Sequence, residues 1–258
     1  MLKRNRVNTA AIALLFLLGT LYFFGRAPWH TILLLLFVWF AITVFGSFFI
    51  QWNYHLHALH SNKALHNNWV SITFDDGPNR EFTPKVLDLL EKYNAKATFF
   101  CIGEQVEKHP ETLKKIIAQG HTIGNHTYSH ANTFGFFSLD KVMNELTRTK
   151  KAVHTLTGKD MTLYRPAFGV TNPQIAKAVN QLNIKAIGWN VRSLDTTSRS
   201  EKTILERITK KVSKGDIILL HDTSEKTIRV LEQLLLFLRE KNLSSVTVDR
   251  LLEIEAYA

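Results

Sequence analysis

Val70-Ser71-Ile72-Thr73-Phe74-Asp75-Asp76-Gly77-Pro78 is an apolar run that stops on two aspartates and a turn dipeptide. The β-branched and aromatic residues of 70–74 predict a buried strand. Gly77-Pro78 predicts the turn that ends it. Outward from this stretch, short apolar strands alternate with amphipathic helices. A helix is expected over 83–93, with Pro84 at a favoured first position. A strand over 97–102, a helix over 110–119 stopped by Gly120 and a strand over 121–124 follow. A long helix over 138–156 is capped by Ser138 and carries Val142, Leu146 and Val153 on one stripe. Strands over 163–165, 184–191, 216–220 and 245–248 alternate with helices over 172–182, 201–212 and 225–240. Repeated alternation of this kind argues a mostly parallel sheet, open or closed into a barrel. Such folds bind ligands at the carboxyl ends of their strands. Asp75, Asp76, Cys101, His126, Arg165, Trp189 and His221 all fall there.

Asp75 and Asp76 repel each other, and a cation taken by one relieves that cost. Further on, His126 and His130 flank Thr127-Tyr128-Ser129. On a helical turn, residues four apart share a face, so both rings would reach one cation. Two histidines and a separate carboxylate make a metal site with open positions, and the second carboxylate supplies a base for water there. Arg165-Pro166-Ala167-Phe168-Gly169 reads as a strand-to-loop turn. Arg165 suits a forked pair with a carboxylate, and the kink would aim a backbone N–H, that of Phe168, at a developing oxyanion. His221 emerges from the apolar run Leu219-Leu220 and suits a general acid near neutral pH. Simpler readings exist for each: turn-forming aspartates, a surface arginine, and His221 or Asp222 as a helix cap. Their collection at strand ends favours an active site. His109 and His121 read as surface residues. Cys101, the only cysteine, reads as a buried strand residue and allows no disulfide within the chain.

Two further stretches, 7–24 and 31–50, are almost wholly apolar and of transmembrane length. They predict a hairpin of two spans at 1–50 and hence a multi-pass membrane protein. A signal peptide is the rival reading of the first stretch, since Lys3, Arg4 and Arg6 precede it. Residues 51–68 form a connector with His55, His57, His60 and His66, in which Trp52 and Tyr54 suit the headgroup level. The remaining 69–258, which holds the alternating strands and helices and the candidate site, is expected to be the catalytic domain. Lys3, Arg4 and Arg6 outweigh Arg26, which favours a cytoplasmic N-terminus, but the margin leaves the side of the domain open. The net charge of +10 suits anionic lipid or glycan surroundings. No dense basic run or arginine–aromatic interleaving marks a nucleic-acid partner.

Thr73-Phe74-Asp75-Asp76-Gly77-Pro78, His126-Thr127-Tyr128-Ser129-His130, the Arg165 turn and Leu219-Leu220-His221, in this order, resemble the motifs of the polysaccharide deacetylase family. This is carbohydrate esterase family four, with the NodB-homology domain. The resemblance implies a distorted (β/α) barrel of about seven to eight units. It implies that Asp76, His126 and His130 bind one divalent metal, most often Zn2+, with Co2+ an alternative. Asp75 would be the base, Arg165 its holder, and His221 the acid that protonates the leaving amine. The backbone N–H of Phe168 would support the oxyanion, and Leu219 would line the acetyl pocket. Trp189 is placed either against a sugar face or in the core. The family's fourth motif is often Asp-x-x-Asp-Trp, whereas Arg192-Ser193-Leu194-Asp195-Thr196 stands here. Arg192 would then lower the pKa of His221, unless Asp195 or Asp222 tunes it instead.

The implied activity is metal-dependent removal of N-acetyl groups from a polysaccharide such as peptidoglycan, a chitin-like oligomer or an exopolysaccharide. A C–N hydrolase acting on a lipid-linked sugar is the alternative, and a non-catalytic glycan-binding protein the third reading. A metalloprotease is disfavoured because His-Glu-x-x-His is absent.

Overall fold

The computed structural model describes residues 2–258. Helices α1 (Arg4–Phe23) and α2 (His30–Phe48) form an antiparallel hairpin. Both are long and apolar enough to cross a membrane, and Gly46 is the only buried residue on either.

Nine strands follow: β1 (Ala58–Leu59), β2 (Trp69–Asp75), β3 (Ala97–Cys101), β4 (Thr122–Asn125), β5 (Leu163–Tyr164), β6 (Lys185–Ile187), β7 (Val191–Arg192), β8 (Ile217–His221) and β9 (Ser244–Ser245). Eight of them run parallel in the order β1-β6-β5-β4-β3-β2-β8-β7, and β9 pairs with β2 alongside. Only Gly188, Trp189 and Asn190 join β6, near one end of that path, to β7 at the other. So short a link reaches at most about 15 Å, so the sheet must curl toward closure. The result is the distorted barrel expected, preceded by two apolar helices.

The helices outside the sheet are α3 (Phe82–Lys92), α4 (Gly103–Lys108), α5 (Pro110–Ala118), α6 (Leu139–Thr157), α7 (Pro173–Gln181), α8 (Glu201–Thr209), α9 (Glu225–Glu240) and α10 (Val248–Leu252). Ser138, Asn172, Ser200 and Ser224 cap α6, α7, α8 and α9 by accepting from backbone N–H groups three residues on. Each cap contributes about 1 kcal/mol.

The period-2 alternation of the strands builds two cores. Val70, Ile72 and Phe74 of β2, with Ile218 and Leu220 of β8, face the outer helices and pack with Leu87, Leu90, Leu231 and Leu234. Phe100, Leu163, Ile187 and Leu219 share the second core with Trp189. Asp75 lies on the same face of β2 as Thr73, and His221 on the same face of β8 as Leu219. Alternation thus carries both toward the barrel interior.

Four local expectations change. The strand over 184–191 is broken at Gly188-Trp189-Asn190, where the chain crosses between sheet edges. Residues 245–248 are not one strand: Thr247 is the N-cap of α10. Helix α4 was not foreseen, since six residues hold too little periodicity. The connector 51–68 is no loose interfacial segment. It contributes β1, paired with β6, and buries Tyr54, Ala58 and Leu65. Tyr54 lies against Gly46 and its hydroxyl lies 3.1 Å from Thr43 Oγ1, so it is a packing residue and not a headgroup anchor.

Candidate active site

The carboxyl ends of β2, β4, β5 and β8 meet around Asp75. Arg165 follows β5 and is fully buried. Its guanidinium donates to Asp75 Oδ1 at 2.9 Å, to Thr73 Oγ1 at 2.6 Å and to the carbonyls of Ile187 and Gly188 at 3.3 and 2.9 Å. It also lies 4.0 Å from the Phe100 ring centroid. One carboxylate oxygen is therefore fixed, and Oδ2 remains for chemistry. A buried charge pair satisfied by so many bonds holds geometry better than an exposed one.

Asp76 stands next in the chain, at φ 77, which turns it away from the strand line. Its Oδ1 lies 3.5 Å from His126 Nε2 and 3.5 Å from His130 Nε2, and the three ligand atoms fall within 4.8 Å of one another. His126 Nδ1 lies 2.9 Å from the carbonyl of Arg165. A carbonyl only accepts, so Nδ1 carries the proton in the neutral ring and Nε2 offers its lone pair.

The histidines converge, but not on the helical turn expected. Residues 126–130 form an irregular loop in which Thr127 (φ 67) and His130 (φ 49) take left-handed conformations. Of the ten non-glycine residues with positive φ among those described, Asp76, Thr127, His130, Phe168 and Leu194 belong to this site. Such conformations cost on the order of 1 kcal/mol or more each and persist only where the surroundings impose them.

One imposing group is Glu145 of α6. Its carboxylate accepts from the N–H groups of Tyr128 and Ser129 at 2.9 and 2.8 Å and from the Ser129 hydroxyl at 2.9 Å. Asn125 adds a bond from the Thr127 N–H at 2.9 Å. Neither residue is singled out by sequence reasoning. Glu145 looks like any half-exposed helix glutamate, and its partners lie in a loop well before it.

On the neighbouring strand β8, His221 is the register partner of Asp75, and its Nδ1 lies 2.9 Å from Asp195 Oδ1. Asp195 is fully buried and also accepts from the His221 N–H (2.8 Å), the Ser193 hydroxyl (2.7 Å) and the Thr227 hydroxyl (2.9 Å). Burial works against the charged imidazole, but the Asp195 bond and the charges of Asp195, Asp75 and Asp76 raise the His221 pKa to about 9. The lowered value expected from Arg192 is therefore not found. Arg192 is exposed and turned toward the Trp189 ring, 5.7 Å from its centroid. The partner of His221 is Asp195.

Asp222 is buried behind Asp76, bonded to Thr83, and burial raises its pKa to about 7. It packs against Gly77, where a Cβ would come within 2.4 Å of its Oδ2, so the turn after Asp76 requires glycine. Phe168, at φ 58, half-exposes its ring over His130, with centroids 4.4 Å apart. Leu219 is buried one alternation below His221. Trp189 is only 7 % exposed and a Cβ on Gly169 would touch its ring at 2.6 Å, so no open face remains for a sugar. His121 is buried and accepts from the Ala97 N–H at 3.2 Å, which corrects its reading as a surface residue. Cys101 is buried at the end of β3.

The donor set fits a divalent cation. Asp76 Oδ1 is buried and has no hydrogen-bond partner. Burial alone would raise the Asp76 pKa, but His126, His130 and His221 lower it to about 2, so the group is anionic. Burial and the neighbouring His126 lower the His130 pKa from its ordinary value, which favours the ring with a free lone pair. One carboxylate and two imidazole nitrogens match a zinc site with positions left open.

The sequence profile described as Polysaccharide deacetylase matches residues 62–187. A peptidoglycan-N-acetylglucosamine deacetylase of Bacillus cereus is 35% identical over 71% of this chain and 68% of its own length. The chain belongs to the polysaccharide deacetylase family. The peptidoglycan-N-acetylglucosamine deacetylase PgdA of Listeria monocytogenes is 34% identical over 73% of this polysaccharide deacetylase but only 40% of its own length. The crystal structure of the Bc1960 peptidoglycan N-acetylglucosamine deacetylase superposes with a TM-score of 0.73 at 33% identity, covering 78% of this chain and 95% of that one.

Proposed function

We propose that this chain is a metal-dependent deacetylase that hydrolyses the N-acetyl amide of sugars in a glycan. The observation that carries the reading is the pair of Asp75 and His221, register partners on the neighbouring strands β2 and β8, beside the Asp76–His126–His130 donor set. The named activities of the similar proteins agree with it.

Asp76, His126 and His130 would hold the cation. When bound, it would supply Lewis acidity, polarising the amide carbonyl and lowering the pKa of water at the site. Arg165 fixes Oδ1 of Asp75 and leaves Oδ2 to take a proton from the attacking water. A C–O bond forms at the acetyl carbon as the carbonyl π pair moves onto oxygen, and the C–N bond breaks as the carbonyl re-forms. His221, held by Asp195, gives its Nε2 proton to the departing sugar nitrogen. Acetate and a free amine result. The backbone N–H of Phe168 is assigned to the carbonyl oxygen as charge develops there, and Leu219 to the floor of the acetyl pocket. The hairpin is assigned as a membrane anchor, and 69–258 as the catalytic domain together with β1.

The test is acetate release by the full-length protein in detergent, loaded with zinc or cobalt, from peptidoglycan fragments and chitin oligomers. Truncation at the connector is avoided because Ile50 and β1 belong to the fold. Asp75→Asn should retain the metal and lose about 10²-fold or more in kcat. Full activity in that variant would remove Asp75 as the base.

A further inference from the structure

Both ends of the hairpin are fastened beside the mouth of the site. The Thr171 N–H, three residues beyond Phe168, donates to Ser47 O at 2.9 Å near the end of α2. Gln51 Nε2 donates to Trp189 O at 2.8 Å, and Ser47 Oγ lies 2.9 Å from His55 Nε2. At the start of α1, the Arg4 N–H donates to Tyr54 O at 3.0 Å. The site therefore opens next to the level at which α2 ends. Exposed aromatic rings collect there: Phe45, Phe48, Phe49 and Trp52 on or after α2, Phe168 at the mouth, and Phe136. Phe136 is 92 % exposed and follows Gly135, whose carbonyl accepts from Asn172. Rings of this kind favour a membrane–water boundary.

A basic cleft of about 570 Å³ lies between the start of α1 and residues 53–57, lined by Lys3, Arg4, Arg6, Tyr54, His55 and His57 among others. None of the ion pairs among the described residues uses Lys3, Arg4 or Arg6. Arg6 also opens an apolar groove between α1 and α2, lined by Val7, Leu14, Leu35 and Val38. One guanidinium thus joins a cationic cleft to an apolar trough, which suits a phosphate on a lipid chain.

We propose, on the deacetylase reading above, that the substrate is an N-acetylated saccharide carried on a lipid phosphate or diphosphate. The phosphate occupies the basic cleft, the lipid follows the groove, and the saccharide reaches the site. Two hydrogen-bonded contacts and three residues of chain separate His55 from Phe168, a span of about 20 Å or less. The three cations at the domain end of the hairpin, against Arg26 at its turn, favour the cytoplasmic side for the domain. A lipid-linked saccharide is within reach on that side.

The experiment compares kcat/KM of the full-length protein in detergent for a lipid-diphosphate-linked N-acetyl disaccharide and for the same disaccharide without lipid. The lipid-linked form should be preferred, and Lys3→Gln/Arg4→Gln/Arg6→Gln should cut that preference by about tenfold or more. Metal stoichiometry reports folding of the triple variant, and Arg6→Gln alone serves where it does not fold. Equal kcat/KM for both forms, unchanged by the substitutions, overturns the proposal and leaves the deacetylase reading standing. Inhibition by inorganic diphosphate as strong as by the lipid diphosphate overturns the lipid assignment. No acetate from either form, with metal bound, defeats the deacetylase reading itself.

Discussion

Asp195 shows how one side chain sets the chemistry of another. It bonds both the ring and the backbone N–H of His221 and is itself held by Ser193 and Thr227. On the proposed role of His221 as general acid, the ring must carry its proton, so activity should persist as pH rises until its raised pKa, about 9, is passed. Asp195→Asn removes the anion, and the alkaline limb should move down toward the ordinary histidine range, as a pH–rate profile of acetate release will show. An unmoved limb would take His221 out of the acid role. The same shift bears on stability. A pKa raised on folding stabilises fully below the unfolded value near 6.5 and is lost as pH climbs through about 9. In chelated protein, the thermal midpoint should fall over that window in the wild type and vary less in Asp195→Asn.

Elements matter here for what they hold in place. The 126–130 loop has no hydrogen-bond ladder of its own. Helix α6 supplies one through Glu145, whose carboxylate takes two backbone N–H groups and a hydroxyl. Glu145→Ala should weaken metal binding by about 10- to 100-fold, measured by competition with a chelating dye, while the helix content is unchanged. Unaltered affinity would show that the loop holds its shape without α6. Helix α2 meets the domain at Gly46, where a Cβ would lie 2.4 Å from the Tyr54 ring. Gly46→Val should therefore destabilise this junction by about 1–3 kcal/mol, seen as a lower thermal midpoint in detergent.

At the scale of the molecule, the curled sheet brings groups from four strand ends to one donor set and leaves the core intact beneath it. Chelation should therefore abolish acetate release and lower the thermal midpoint without unfolding the domain, and zinc or cobalt should restore both. A chelated protein of full activity would remove the cation from the reaction. The excess positive charge agrees with residence beside anionic lipid, and association with anionic vesicles should weaken as salt is raised.

The alternation of short apolar strands with amphipathic helices was legible in the chain, because burial on a sheet face and on a helix face impose periods of 2 and 3.6. So were the two apolar helices, from length and composition, and the residues Asp75, Asp76, His126, Arg165 and His221, because each lies at or just beyond a strand end. The chain did not reveal how the histidines converge. Their loop depends on left-handed residues and on Glu145, which are products of packing and carry no periodic signal. Nor did it decide between Arg192, Asp195 and Asp222 as partner of His221. Leu194 at φ 64 turns the segment so that Asp195 enters the core while Arg192 remains outside. The connector beneath the hairpin joined the barrel for a similar reason. Strand β1 is only two residues long, too short to announce itself, and exists because β6 offers it an open edge.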